Sequence, residues 1–580
     1  MAASKHIREI SISEFFAKNR HLLGFDNPLK ALLTAVREAV DNSLDACEEA
    51  AIMPDITVEV RAEKGSHFVV SITDNGPGVS KAHLGNIFGK LLYGSKFHRL
   101  RQSRGQQGIG ISAVVMYGQM TTGKPAVVIT KTGPKAPAHE ITLQLDTKKN
   151  KPKILKDKES KDPIWANRQS GTQITLHLEG AYKEGRHGIL SYISQTALSN
   201  PHANLLYVDP KGKKHAFPRV MMTLPKEPSE IKRHPHGVEL GLLMQLLHDA
   251  KKAPLSQFLK KEFSRISDAA AKEILKGAKL PMTRPSQNMT RPDVEKLYDS
   301  IQATKLMPPP TNCLSPMGED NLMKALYWFF VESQRWDAEE QLSLVDSQAA
   351  QEDGKKGQSE IQFEATENSV LSRTLEADED GAIASREDGY FVTAVTRSPF
   401  VYRGNPFQVE VGLFYGKGLK QDGLMQVYRY ANRVPLQYQA SGCAMTKAAL
   451  SVPWKSYNLN QSKGALPTGP VVVMMHVASV WVPYTSESKE AIAHYPEILK
   501  EFRLALMECG RKLQRHLKHQ KRQAEEAKKR GYIEKYLNPI GEALQAILKL
   551  SEKDKKKTVE NLTYLLDKNY GQKKSEQKND

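Results

Sequence analysis

Two polar side chains share one face of a helix that is otherwise suited to burial. The stretch AVREAVDNSLDACEEA, residues 35–50, lacks Gly and Pro, and its apolar residues return every three or four positions. Glu38 and Asn42 are four residues apart and therefore share a face. A carboxylate can take a proton from a reacting water, and an amide oxygen can ligate Mg²⁺. By itself, such a pair most often marks a solvated helix face.

A second candidate group follows the apolar strand FVVSIT, in the turn DNGPG that begins at Asp74. A carboxylate fixed at a strand end can accept a hydrogen bond from an exocyclic amine of a base. Gly76 and Gly78 would let that base approach the backbone closely. Taken alone, the same residues also fit a simple turn.

A third candidate is the Gly-rich segment RGQQGIG, which runs from Arg104 to Gly110 and precedes the predicted helix ISAVVMY. Gly105, Gly108 and Gly110 would expose backbone N–H groups at the start of that helix. Those groups and the helix dipole suit a polyphosphate. Many Gly-rich loops are merely flexible, so this segment is also weak evidence alone.

The elements that must position these residues form a mixed α/β domain over residues 1–225, with alternating strands around DITVEVRAEKGSHFVVSITDNGPG. Short helices separated by Pro and Gly follow in residues 226–310. Strand patterns return in residues 311–490, interrupted by an acidic, Ser- and Gln-rich stretch near 340–388 that we expect to be a mostly flexible insertion. A long charged helix is predicted for 491–535, and a basic, loosely attached tail for 536–580.

Composition narrows the functional classes. The 580 residues are 40% apolar and 26% charged, which predicts a globular protein, and the net charge of +18 favours an anionic partner such as nucleic acid. Four widely spaced cysteines without a CxxC pair indicate neither a disulfide framework nor a zinc site. No signal peptide or membrane-spanning run is visible, so we expect a cytoplasmic, nucleoid-associated protein with no membrane partner.

Together the motifs are far more specific than any one of them. ExxxN, DxGxG, GxxGxG and an SGT that opens a strand occur in this order, and this set resembles the ATP-binding (Bergerat-fold) domain of DNA gyrase B, MutL, ninety-kilodalton heat-shock chaperones and histidine kinases. The resemblance implies that Glu38 polarises the attacking water, that Asn42 holds Mg²⁺, and that Asp74, helped by Thr172, reads the adenine amine. The remaining nucleotide contacts that it implies are Gly76, Gly78, Ser95, Lys96, Arg104, Gly105, Gln106, Gln107, Gly108, Ile109, Gly110 and Ile111.

A later segment, WKSYNLNQSKG, narrows the resemblance. Its Gln461 and Lys463 match the Gln-x-Lys loop of the gyrase-like branch, in which a lysine of a second domain contacts the γ-phosphate. Over most of its length the chain is similar to the B subunits of DNA topoisomerase VI. That family implies a helix-two-turn-helix domain at 226–310, an α/β transducer at 311–490 and a stalk helix, and thus an α+β multidomain fold.

The resemblance implies a function as well. It is that of an ATP-hydrolysing subunit of a type IIB DNA topoisomerase, with ATP and Mg²⁺ as cofactors. Two copies would dimerise on ATP binding and gate one DNA duplex through a break made by a separate A subunit, in an A2B2 assembly. Two alternatives remain open: a MutL- or chaperone-like ATPase clamp without strand passage, and a non-enzymatic DNA-binding scaffold with a degenerate ATP site.

Overall fold

An antiparallel sheet organises the first part of the chain. In the computed structural model, the described residues are 14, 16, 18–94, 99–105, 108–147, 149–250, 252–333, 381–385, 389–416, 418–486 and 488–570. Eight described strands form the sheet in the order β5-β4-β3-β6-β2-β1-β7-β8, with only β1 and β7 parallel. The strands are β1 Asp55–Ala62, β2 His67–Asp74, β3 Ala126–Lys131, β4 His139–Asp146, β5 Lys151–Glu159, β6 Gly171–Glu179, β7 Asn204–Val208 and β8 Lys214–Phe217.

Helices cover this sheet and bury its apolar side chains. They are α1 Pro28–Glu49, α2 Lys81–Gly89, α3 Gly110–Thr122, α4 Pro163–Asn167 and α5 Ile189–Ser199. Helix α1 begins where the Asn27 side chain accepts a hydrogen bond from the backbone N–H of Lys30 at 2.9 Å, and Pro28 occupies the first turn. Its stripe of Leu32, Val36 and Val40 packs into the core between helices and sheet. This packing fixes α1 against the strands that carry the other candidate residues.

A helical segment with a core of its own follows the first sheet. Its described helices are α6 Leu240–Asp249, α7 Leu255–Glu262, α8 Asp268–Gly277 and α9 Arg291–Ala303. Phe258, Ile274 and Leu297 are fully buried in that core. These helices lie where the sequence predicts a helix-two-turn-helix domain, and the domain assignment itself stays a prediction.

A second sheet forms from the later strands, with the described order β14-β13-β15-β12-β10-β9 and β11 paired to β12. Helix α10 Glu319–Tyr327 packs on β10 and β12 through buried Leu322 and Leu326. The remaining elements are β9 Ala382–Ser385, β10 Tyr390–Thr396, β11 Phe400–Tyr402, β12 Asn405–Gly416, β13 Gln426–Ala431, β14 Val434–Pro435, α11 Ala444–Ser451 and β15 Val471–Ser479. Two sheets and a long helix confirm the predicted α+β class.

Part of the acidic stretch expected to be flexible is a strand. Residues 382–385, which fall within the predicted insertion 340–388, pair in antiparallel fashion with β10. The sequence GAIAS supplies small and apolar residues that fit a short edge strand, although acidic runs flank it. Residues 340–380 and 386–388 lie outside the described residues.

By its internal contacts the chain divides into two compact units, residues 1–452 with 461–509, and residues 453–460 with 510–580. The long helix α12 Pro496–Leu548 continues beyond the predicted boundary at 535, and α13 Glu552–Tyr570 follows. Residues 536–570, expected to be a loose tail, are therefore helical except for a short break between the two helices. In the second unit, Gly541 of α12 lies against Val559 of α13. A β-carbon added at Gly541 would be only 2.5 Å from Val559 Cγ2. Strong helix formers such as Glu, Lys, Ala and Leu dominate both segments.

Candidate active site

The carboxylate of Glu38 lies at the junction of α1 and the start of α3. Its side chain is 14% exposed. Oε1 faces two cations, with Arg37 Nη2 at 3.4 Å and Lys489 Nζ at 3.9 Å. Oε2 faces Gly110, and a β-carbon at that position would overlap the carboxylate. The two oxygens therefore have different surroundings: one is held by positive charge and the other faces the first residue of a helix.

Burial and charge act on Glu38 in opposite directions. Burial by itself raises the pKa of the Glu38 carboxyl, but the positive charges of Lys489 and Arg37 outweigh it, and the pKa lies below its ordinary value. Glu38 is therefore ionised at neutral pH. An ionised carboxylate can accept a proton from water, which is the chemistry that its position on α1 predicted.

The start of helix α3 presents backbone rather than side chains. Gly108 has a left-handed φ of 58°, a conformation that glycine adopts without strain. Ile109 precedes the helix and accepts from the backbone N–H of Ala113 at 2.8 Å. The Ile111 side chain is buried in the apolar core, so only its backbone remains to face a ligand. The predicted residues Ser95, Lys96, Gln106 and Gln107 lie outside the described residues.

Asn42 lies one turn beyond Glu38 on α1, and its side chain makes no hydrogen bond to another residue in the described ranges. Its Oδ1 lies 3.6 Å from the position that a β-carbon would take at Gly105. The absence of a side chain at Gly105 therefore keeps space beside the amide. An unengaged amide oxygen next to such a space fits the donor that a hard divalent cation prefers.

Asp74, the last residue of β2, is held by three hydrogen bonds. Ser43 Oγ donates to Oδ2 at 2.8 Å, and the backbone N–H groups of Gly76 and Thr172 donate to Oδ1 at 3.0 and 3.1 Å. Thr172 is brought there by sheet register, because β2 and β6 pair Asp74 with Thr172. Burial raises the pKa of the Asp74 carboxyl, and the three hydrogen bonds partly offset that rise. These bonds fix the orientation of the carboxylate.

The two glycines after Asp74 serve the backbone. A β-carbon at Gly76 would be 3.1 Å from Asp74 Oδ1, which is tighter than ordinary packing. Gly78 has a φ of 71°, and a β-carbon there would overlap the carbonyl oxygen of Lys131. Gly78 therefore has to be glycine, whereas a larger residue at Gly76 would have to displace the Asp74 carboxylate slightly.

Arg104, predicted as a nucleotide contact, is instead buried in an ion-pair network with α1. Its guanidinium donates to Asp45 Oδ1 at 2.8 Å and to the two oxygens of Glu48 at 2.9 and 2.6 Å. It also donates to Asn200 Oδ1 at 2.5 Å, and its side chain is 4% exposed. All of these acceptors belong to the protein, so in this arrangement Arg104 anchors the Gly-rich segment to α1. The network also gives Asp45 a structural role.

Asp41 of α1 is also buried, beside Tyr192, whose hydroxyl donates to Asp41 Oδ1 at 3.2 Å. Burial, reinforced by the charge of Glu38, raises the Asp41 pKa to about 6 although Lys489 and Arg37 oppose the rise. The hydrogen bond from Tyr192 ties Asp41 to the protein interior, and its Oδ2 is buried with no hydrogen-bond partner among the described residues.

Gln461 and Lys463 lie on a turn of the first unit. Gln461 Nε2 donates to the carbonyl oxygens of Val452 and Ala465 at 3.2 and 3.0 Å, and Lys463 is exposed. Among the described residues, no ion pair or hydrogen bond joins Lys463 to Glu38 or Asn42. The lysine that approaches Glu38 here is Lys489, which the sequence interpretation missed.

Comparison with known proteins identifies the family of this chain. Residues 28–181 match the family described as "Histidine kinase-, DNA gyrase B-, and HSP90-like ATPase", and residues 368–529 match "Topoisomerase VI B subunit, transducer". The B subunit of type 2 DNA topoisomerase 6 from Archaeoglobus fulgidus is 44% identical over 522 residues, which cover 90% of this chain and 76% of that protein. The chain belongs to the family of type 2 DNA topoisomerase 6 B subunits.

A more distant sequence relative supports the same assignment. The corresponding topoisomerase 6 protein of Pyrococcus horikoshii is 36% identical over 591 residues, which cover 94% of this chain and 92% of that protein. Among solved structures, the gyrase B protein from Myxococcus xanthus has a TM-score of 0.37 at 11% identity, over 85% of this chain and 93% of that one. The family assignment therefore rests on the sequence relatives.

Membership in the topoisomerase 6 B-subunit family, together with the ATPase domain, confirms the predicted function at the level of an ATP-binding, ATP-driven subunit of a type IIB DNA topoisomerase. The relatives carry the topoisomerase name rather than that of a MutL- or chaperone-like clamp. In the described part of the chain, no helix is both long enough and apolar enough to cross a bilayer.

Residues missed by sequence reasoning fall into two kinds. Ser43 immediately follows Asn42 and holds Asp74, and Arg37 immediately precedes Glu38, so helical geometry could have placed both beside the site. Lys489 lies in TSESKEAIA, a segment without a recognisable motif. Only the folded chain brings it to α1.

Proposed function

We propose that α1, the end of β2 and the Gly-rich segment before α3 form one ATP-hydrolysing site, in which Glu38 is the general base. The observation that carries this proposal is the Glu38 carboxylate itself, ionised, with Oε1 fixed by Arg37 and Lys489 and Oε2 facing Gly110. Such a carboxylate can orient a water and accept its proton as the water attacks the terminal phosphate.

Asp74 is the residue that we propose to read the base. Its two oxygens are already oriented by Ser43, Gly76 and Thr172, so it can accept a hydrogen bond from the adenine amine without reorganisation. Thr172 acts by holding that carboxylate. Gly76 and Gly78 leave the backbone accessible to the purine.

Asn42 is the residue that we propose to hold Mg²⁺. Its amide makes no hydrogen bond to another described residue, and Gly105 leaves space beside it. When bound, Mg²⁺ would neutralise negative charge on the phosphates. The chain's own contribution is to fix the amide on α1, one turn from Glu38.

Phosphate binding is proposed for the backbone N–H groups of residues 108–111, at the start of the 13-residue helix α3. Arg104 fixes the beginning of this Gly-rich segment to α1 through its ion pairs with Asp45 and Glu48. Lys463, on an exposed turn, is proposed to contact the γ-phosphate. A lysine suits this role as a mobile point charge.

At the level of assembly, we propose that two copies of this chain dimerise on ATP binding and pair with two A subunits. The partner would cut and rejoin one DNA duplex while the ATP-driven dimer controls the passage of another, and the complex would associate with the nucleoid. The net charge of +18 favours contact with the DNA backbone, which would be sensitive to salt and indifferent to sequence.

The test of the ATPase site is Glu38→Ala in the full chain. We expect hydrolysis to be abolished while binding of an ATP analogue and analogue-induced dimerisation persist. Dimerisation is measured by light scattering with and without the analogue. Normal turnover in this variant would contradict the assignment of Glu38 as the base.

The test of the two-domain site is Lys463→Ala, assayed with an A subunit and catenated DNA. We expect loss of ATP turnover and of decatenation, with analogue binding retained. Lys447, a lysine that lies near the His494 imidazole at 3.1 Å, offers a control substitution in the same part of the chain. Equal activities of Lys463→Ala and Lys447→Ala would refute the role of Lys463.

A further inference from the structure

The loop that follows the second sheet brings a lysine, Lys489, to the candidate base. Lys489 is only 3% exposed. Lysine is rarely buried unless it has a partner, and Lys489 has two. Its Nζ lies 3.9 Å from Glu38 Oε1 and donates to the carbonyl oxygen of Arg104 at 3.2 Å. One ammonium group therefore contacts both the candidate base on α1 and the beginning of the Gly-rich segment.

The loop is held in place on both sides of Lys489. The backbone N–H of Thr485 donates to the carbonyl oxygen of Ala491 at 2.9 Å, and the backbone N–H of Lys489 donates to the carbonyl oxygen of Ser486 at 3.1 Å. Lys489 has a left-handed φ of 52°, a conformation that costs a non-glycine residue on the order of 1 kcal/mol. The surrounding contacts must supply that energy, so the position of the ammonium is imposed by the fold.

The geometry at Glu38 gives this lysine a specific effect. Lys489 and Arg37 both face Oε1, while Oε2 faces Gly110. If Lys489 lost its charge, Arg37 would still face Oε1. Arg37 belongs to α1, like Glu38, and so it does not connect the carboxylate to another part of the fold. Lys489 is the cation that links the carboxylate, the Gly-rich segment and the loop after β15.

We propose that Lys489 is a positioning residue for ATP hydrolysis, which orients Glu38 through Oε1 and ties that orientation to the Gly-rich segment through the Arg104 carbonyl. The inference rests on the proposed role of Glu38 as the base. It differs from the role of Lys463, because Lys489 acts on the carboxylate rather than on the nucleotide.

The test compares three variants of the full chain: Lys489→Met, which removes the charge at similar length; Lys489→Arg, which retains it; and Lys30→Met as the matched control. Lys30 binds the same loop through Glu490 but does not contact Glu38. For Lys489→Met we expect kcat to fall about 10- to 100-fold, the usual scale for a displaced catalytic group. The KM for ATP should change little, Lys489→Arg should recover most of kcat, and Lys30→Met should keep normal kcat.

The pH profile separates positioning from a purely structural role. Within the part of the chain that the structure describes, the charged or titratable groups that face Glu38 are Arg37, Asp41, Tyr484 and Lys489. Removing the Lys489 charge takes away a force that keeps Glu38 ionised, so the acidic limb of the kcat profile should move to higher pH in Lys489→Met. It should stay in place in Lys489→Arg and Lys30→Met. An unchanged kcat and acidic limb in folded Lys489→Met would overturn the inference.

A second measurement covers the case in which Lys489→Met does not fold. In the unsubstituted chain labelled with ¹³C at the glutamate carboxyl carbons, the Glu38 signal is identified by its absence in Glu38→Gln. Because the ordinary glutamate pKa is about 4.3, we expect no titration of this signal between about pH 8 and 5.5. A midpoint above about 5.5 would overturn the inference. Normal turnover in Glu38→Gln would instead refute the proposed function, so the two failures are distinguishable.

Discussion

Two glutamates, the partly buried Glu38 on α1 and the fully buried Glu410 in the second sheet, differ in how their oxygens are used. Glu410 of β12 is fully buried and accepts four hydrogen bonds: from the backbone N–H groups of Met317 and Gly318 at 2.8 and 2.7 Å, from Thr396 Oγ1 at 3.0 Å and from His476 Nδ1 at 2.7 Å. Glu38 keeps 14% of its side-chain area exposed and, among the described residues, is held only through Oε1.

The same pKa direction therefore arises from two different environments. Burial raises the pKa of Glu410, but the bonds from His476, Met317 and Gly318 outweigh it and lower the pKa below its ordinary value. His476 Nε2 accepts from the backbone N–H of Arg433 at 3.1 Å, which leaves the proton on Nδ1 for Glu410. A carboxylate whose lone pairs are filled is structural, whereas one with a free oxygen beside a glycine can act on a ligand.

The largest effect that would sharpen this comparison is expected for Glu38→Gln. The amide keeps the shape of the side chain but cannot accept a proton, so kcat for ATP hydrolysis should fall about 10²- to 10⁴-fold, the usual contribution of a general base. The midpoint of thermal unfolding should change little, because Glu38 makes few bonds. Steady-state ATPase assays and calorimetry measure the two quantities. A large loss of stability with normal turnover would reverse the comparison.

The same substitution at Glu410 should have the opposite result. Glutamine has one accepting oxygen, so buried donors around Glu410 would lose their partners, at about 1–3 kcal/mol each in the free energy of unfolding. Because folding lowers the pKa of Glu410, the stabilisation it provides is present above the ordinary pKa and is lost as pH falls through the lower folded value. Denaturant titrations should therefore give a large difference between the unsubstituted chain and Glu410→Gln at pH 7 that shrinks in acid.

Turnover by the folded fraction of Glu410→Gln should stay close to normal. A stability difference that is the same at all pH values, or a selective loss of kcat, would contradict the structural role of this carboxylate.

The sequence could predict the site where local geometry carries the information. Helical spacing places Glu38 beside Asn42, and a strand end places Asp74. Sequence could not place Arg104, because its acceptors are distant along the chain. Asp45 and Glu48 belong to α1, and Asn200 immediately follows α5. Because Arg104 is next to a Gly-rich loop, the sequence predicts a phosphate contact. In the structure its partners are the carboxylates of Asp45 and Glu48, which indicates that it anchors the segment.

Long-range and composition-based inferences were the weak ones. Lys489 reaches Glu38 across 451 positions of sequence through a loop with a left-handed residue, and no local pattern marks it. The Lys-rich composition of 536–580 favoured a tail, yet its Glu and Lys residues are good helix formers, and α12 and α13 include most of it. Composition describes solvation, whereas helix formation also depends on propensity and on partners such as Val559 and Gly541.

A smaller effect is expected for Gly110→Ala, which tests whether Glu38 Oε2, which has no hydrogen-bond partner among the described residues, needs the space beside Gly110. The added methyl group would overlap the carboxylate, so either Glu38 or the start of α3 must shift, at a cost of about 1–3 kcal/mol. We expect kcat to fall about tenfold or more. Gly133→Ala is the matched control, because a β-carbon there meets no atom within 4 Å. Equal turnover of the two variants would mean that Oε2 is not confined by the helix.

The smallest effect is expected for Asp74→Asn. It tests whether a carboxylate that already accepts three hydrogen bonds can also accept one from the adenine amine. The asparagine oxygen can keep the bonds from Gly76 and Thr172, and its amide can face Ser43, so the fold should tolerate the change. The negative charge that favours an adenine amine is lost, and ATP binding should weaken about tenfold, near the low end for a hydrogen bond to a charged group. GTP presents a carbonyl in place of that amine, so its binding should weaken less. Calorimetric titration of both nucleotides measures the ratio. An equal loss for ATP and GTP would place Asp74 among the structural carboxylates with Glu410.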